Sequence, residues 1–89
     1  MERGADTIEA DIRSRGLRCT AQRVAVLSVL RAEPAHLRVE DVADRARSRL
    51  GTMSTQAVYD VLAALTDAGL VRRIEPAGSP ARFEARSGT

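Results

Sequence analysis

Met53 to Gly69 reads MSTQAVYDVLAALTDAG, and the reading of this stretch decides the fold. Ser54 is a good N-cap, because its hydroxyl accepts from amides that a first helical turn leaves unbonded, and Gly69 supplies the left-handed residue that stops a helix. Between them Val58, Val61, Leu62 and Leu65 recur at helical spacing on one face, with Thr55, Gln56, Tyr59, Asp60 and Ala63 on the other. The first face belongs in a core. The second lacks the long charged run that merely solvates a surface helix, and its N-terminal part offers Thr, Gln and Tyr together. A duplex major groove admits such a helix, with Gln bridging adenine and apolar groups touching thymine methyls. An ordinary amphipathic helix with an uncharged outer side has the same pattern, so this stretch alone leaves both readings open.

Beyond Gly69 the period changes. LVRRIE and ARFEAR are short strand-like runs separated by PAGSP, whose prolines and glycine make a loop, so Leu70 to Arg86 reads as a β-hairpin. Arg72, Arg73, Arg82 and Arg86 all lie in it, where they would meet a phosphate backbone or else simply face solvent. On the N-terminal side, a helix is expected from Val39 to Leu50, with Val39, Val42, Ala43, Ala46 and Leu50 on one stripe and Gly51 closing it. Arg38 sits at its cap position and is a poor cap, so this helix start frays or is stabilised by something else. Upstream, Thr20 caps a helix that runs through about Ala32, with Val24, Leu27, Val29 and Leu30 inward and Glu33 and Pro34 ending it. A shorter helix from Asp6 to Arg15, with Asp6 as cap, Ile8 and Ile12 apolar and Gly16 as terminator, precedes it. Helices followed by a two-stranded hairpin, with a short turn around Gly51 joining the last two, give a mainly α fold with a small antiparallel hairpin: a winged helix-turn-helix.

Composition agrees with one small domain over residues 1–89. The 89 residues bury a single core, and with 44% hydrophobic but only 2% aromatic residues that core is aliphatic. The formal charge of +2 is too small to demand a polyanion partner, so the position of the 14 basic residues, all arginine, must carry that argument. Cys19 stands alone, which excludes an internal disulfide and any multi-cysteine zinc site here, and reads best as a small buried hydrophobe. No run is apolar enough for a signal peptide or membrane span, and a cytoplasmic protein is expected. One histidine and one cysteine assemble no nucleophile and base, so no enzyme is expected.

GLRCTAQRVAVL, STQAVYDVLAALTDAGLVRRIE and ARFEAR together resemble the N-terminal DNA-binding domain of the ferric uptake regulator (Fur) family, from about Gly16 to Glu84. In AVYDVLAALTDAGLVRRI the usual family pattern reads Thr-Val-Tyr-Arg and then Ala-Gly-Leu-Val. Asp60 in place of that arginine is similar to the actinobacterial FurA-type branch, whose members respond to peroxide. The resemblance implies that Tyr59 packs against thymine in the major groove and that Arg18, after Gly-Leu, enters an A·T minor groove. Gln56 lies one turn before Tyr59 on the same face, so base contact fits its geometry, and Thr55 stands beside it. Asp60 is the departure: its carboxylate can accept from a cytosine amino group, reject wrong bases, or pair with a nearby arginine.

His36 and Glu84 match two family positions that ligate regulatory Fe(II) or Mn(II). The family's further ligands, its dimerisation domain and its Zn(II) motifs have no counterpart in these residues, so no tightly held metal is expected here. The resemblance thus implies the DNA-binding domain of a metal-dependent, peroxide- or iron-responsive repressor. Its partner would be double-stranded DNA, an A·T-rich half-site of a palindromic operator gripped by Arg72, Arg73 and Arg82. A monomer is expected for this chain and a homodimer for a full-length family member. The rival reading is a winged-helix protein-interaction module without DNA binding, in which the face of Gln56 and Tyr59 meets a protein.

Overall fold

A computed structural model describes residues 4–33 and 36–86, with the backbone alone for residues 4–6. Four helices and three strands follow in the order α1 (Gly4–Ser14), α2 (Ala21–Ala32), β1 (Leu37–Arg38), α3 (Val39–Leu50), α4 (Thr55–Asp67), β2 (Val71–Ile74) and β3 (Arg82–Ala85). α2 is the hub, touching α1, α3, α4 and β3. Its start is held by Thr20, whose Oγ1 accepts from Arg23 N at 3.1 Å. Ile12, Leu27, Leu30, Val42, Val58, Leu62, Leu65 and Val71 are among the fully buried side chains, so the core is the aliphatic one expected. No helix among the described residues is long and apolar enough to cross a membrane.

α4 carries both of its anticipated boundaries. Ser54 Oγ accepts from Ala57 N at 3.0 Å. At the other end Leu70 N donates to Leu65 O at 3.0 Å and Gly69 N to Thr66 O at 3.0 Å, a pairing that requires the positive φ of 83° at Gly69. Val58, Val61, Leu62 and Leu65 are buried, whereas Thr55, Gln56, Tyr59, Asp60 and Ala63 face solvent.

One expectation is extended and three need correction. The hairpin is the larger part of a three-stranded antiparallel sheet, order β1-β3-β2, because Leu37 and Arg38 pair with Phe83 and Arg82. That pairing, together with Asp41 Oδ2 accepting from Arg38 N at 3.3 Å, holds the start of α3, where the Arg38 side chain has no acceptor to offer. α1 begins at Gly4, so Asp6 lies inside its first turn and is not the cap. Leu50, assigned to the buried stripe of α3, is 36% exposed, since it is the last residue before Gly51 turns the chain away; Val24 is half-buried. Pro34, expected to help end α2, lies outside the described residues.

Candidate nucleic-acid interface

α3 and α4 are joined by the turn from Gly51 to Ser54, and an arginine that the sequence reading passed over holds that turn together. Arg47 Nε donates to Met53 O at 2.8 Å and its Nη2 to Thr55 Oγ1 at 3.1 Å, while Asp44 Oδ1 lies 3.6 Å from Nη1. One guanidinium therefore ties α3 to the turn and to the first residue of α4. In sequence Arg47 reads only as a basic residue in a last helical turn, because its planar fork finds these acceptors only after the chain has turned. Thr55 is consequently exposed but already engaged. The first turn of α4 contains no acidic residue, so the positive end of its dipole is uncompensated.

The exposed face of α4 is flanked on both sides. On one flank, Arg18, Thr20, Gln22 and Arg23 border a shallow groove together with Ala57 and Asp60. Arg23 Nη1 donates to Arg18 O at 2.8 Å, which steadies the backbone that carries the exposed Arg18 side chain. On the other flank, Arg73, Ser79 and Pro80 border a second groove together with Tyr59, Ala63 and Asp67. Tyr59 is 51% exposed between the two.

Within that face Gln56 Nε2 donates to Asp60 Oδ1 at 2.9 Å. The partner of Asp60 is therefore an amide and not the arginine considered as one alternative.

The arginines of the wing do not share one sheet face. Register pairs Arg73 with the buried Phe83 and Arg72 with Glu84, so alternation sends Arg73 to the sheet face that meets α4 and sends Arg72, Arg82 and Arg38 to the opposite face. Sequence alone could not separate them, because which face of a short hairpin is inward depends on the packing of Val71 and Phe83. Arg73 Nη2 is 2.9 Å from Glu75 Oε2, an exposed pair that a stronger anion could displace. Arg86 is exposed and donates its backbone N–H to Leu70 O at 3.0 Å.

His36 and Glu84 are brought together on the outer sheet face, His36 Nε2 lying 2.8 Å from Glu84 Oε1. Glu84 Oε2 is taken by Arg72 Nη1 at 3.2 Å. Two donors, one of them shared with a guanidinium, do not close a coordination shell, and no group of three or more metal-binding side chains occurs among the described residues. Cys19 is half-buried and packs against the core, as a small hydrophobe does.

Comparison with known proteins follows the same lines. The sequence profile of the ferric uptake regulator family matches residues 14–89. The transcriptional regulator FurA of Mycobacterium tuberculosis is 52% identical over 77 residues, which are 86% of this chain and 52% of that protein. The chain thus spans about half the length of the curated relatives it matches. A zinc-bound manganese uptake regulator superposes with a TM-score of 0.83 at 26% identity, over 93% of this chain and 63% of that one. The ferric uptake regulator of Pseudomonas aeruginosa with manganese superposes with a TM-score of 0.78 at 32% identity, over 91% of this chain and 61% of that one.

Proposed function

The chain belongs to the ferric uptake regulator family, and on that premise we propose that it is the DNA-reading head of a metal-dependent, peroxide- or iron-responsive transcriptional repressor. The observation that carries this reading is a helix face of uncharged and hydrogen-bonding groups, Thr55, Gln56 and Tyr59, flanked by Arg18 on one side and Arg73 on the other. α4 lies in the major groove of double-stranded DNA with its N-terminal turn leading, the end of a recognition helix that meets base edges. Tyr59 sets its ring against a thymine methyl, and Gln56 faces adenine. Arg73 exchanges Glu75 for a phosphate, and Arg18 reaches into the neighbouring A·T minor groove. Arg72 and Arg82, on the outer face of the sheet, add to the positive field without touching the bases read by α4. One head reads one half-site, and two heads linked in a dimer read a palindrome far more tightly than either alone.

His36 and Glu84 are the two side chains that a regulatory Fe(II) or Mn(II) would share with donors beyond this pair. Arg72 would have to give up Glu84 for both carboxylate oxygens to ligate.

Fluorescence anisotropy with a labelled A·T-rich half-site tests the reading. Raising salt from about 50 to 200 mM should weaken binding roughly tenfold if about two phosphates are neutralised. Arg73→Glu should abolish binding while the protein stays folded. Equal affinity at both salts, or undiminished binding by Arg73→Glu, would overturn it.

A further inference from the structure

Gln56 and Asp60 are one turn apart on the open face of α4, both exposed, and joined by the 2.9 Å bond from Nε2 to Oδ1. A single exposed amide–carboxylate bond adds only modestly to the stability of a helix. None of the ion pairs among the described residues involves Asp60, although Arg18 and Arg23 border the same groove.

An ionised carboxylate only accepts, so Asp60 compels the Gln56 amide to turn its nitrogen toward the C-terminal end of the helix and its carbonyl oxygen away. Of the two N–H groups on that nitrogen, one is consumed. What remains open is one N–H and one carbonyl oxygen, side by side. Adenine presents the complementary pair in the major groove, N7 as acceptor and the N6 amino group as donor. Guanine presents two acceptors there, N7 and O6, and a glutamine left with one free N–H and an outward oxygen cannot satisfy both.

We propose that Asp60 is a positioning residue for Gln56, and that the two side chains discriminate adenine from guanine as one unit. The inference rests on the proposed seating of α4 in the major groove and adds to it the source of specificity at one base pair.

The test begins with a half-site selected by wild-type protein from a random duplex pool. Each A·T pair in that site is then changed singly to G·C, and anisotropy measures affinity for wild type, Gln56→Ala, Asp60→Ala, Asp60→Asn and the double alanine variant. Wild type should prefer adenine by about tenfold at one position, the range of a good bidentate contact. Gln56→Ala should erase that preference, and Asp60→Ala should reduce it to about threefold or less at the same position. The double variant should discriminate no worse than Gln56→Ala alone, and Asp60→Asn, whose amide can donate as well as accept and so no longer fixes the Gln56 amide, should keep only part of the preference. Both side chains are exposed, so all four variants should melt like wild type.

If Asp60→Ala tightens binding to every duplex alike and leaves the ratio intact, its role is electrostatic and the proposal fails. A loss of preference at a different base pair would mean that Asp60 reads cytosine itself, and the proposal fails again. Should wild type select no site at all, the seating of α4 in DNA is wrong and the pairing falls with it.

Discussion

Tyr59 is 51% exposed on α4 while Val58 beside it is fully buried, so neighbouring residues divide between the open face and the core. Tyr59→Ala should leave urea-induced unfolding within about 0.5 kcal/mol of wild type, as surface changes generally do. The same change should weaken half-site binding by about tenfold, corresponding to the ~1–3 kcal/mol of a base contact. A parallel loss of stability and affinity would mean that the ring supports the fold. Gly69 illustrates the opposite case. At φ 83° an added Cβ would stand 2.9 Å from Arg15 Nη1, which itself donates to Ala68 O at 2.9 Å. Gly69→Ala should cost about 1–2 kcal/mol for the left-handed backbone, with further loss if Arg15 is displaced, read from the urea midpoint. At this scale the sequence was highly legible where identity implies geometry, as with Ser54, Gly69 and Thr20. It was silent on partners, because the bond of Asp60 to Gln56 and the sharing of Glu84 between His36 and Arg72 depend on rotamers that no pattern encodes.

Among elements, the helices were legible because their apolar residues repeat along their length; β1 was not, because Leu37 and Arg38 are too few to show alternation and pair only once Phe83 and Arg82 arrive from far along the chain. The division of the wing arginines between two sheet faces was hidden for another reason, since the packing of Val71 and Phe83 decides which face of the hairpin is inward. The turn from α3 to α4 offers the sharpest test of an element. Arg47→Met keeps much of the aliphatic stem but removes the bonds to Met53 O and Thr55 Oγ1. It should cost about 1–2 kcal/mol, with faster amide exchange confined to the first turn of α4. If Arg47 sets the angle at which α4 leaves α3, DNA affinity should fall with it. Unchanged exchange in that turn would show that helix packing alone sets the angle.

The whole molecule rests on one aliphatic core, and a chain of 89 residues has a stability of only about 4–13 kcal/mol to lose. Leu27 and Leu62 are both almost fully buried, in α2 and α4 respectively. Truncating either to alanine should cost about 2–5 kcal/mol, a large part of the total. Leu62→Ala should therefore lower the melting temperature and weaken binding progressively as temperature rises, and a stabilising osmolyte should restore that binding, where Tyr59→Ala would not recover.

The chain holds a single tyrosine and no tryptophan, and that tyrosine lies in the open on α4. Its ultraviolet emission is thus a label-free reporter built into the proposed reading surface. A stacked or shielded phenol should dim as duplex is added, whereas melting of the interior, which moves the ring from one watery setting to another, should pass almost unseen by the same light.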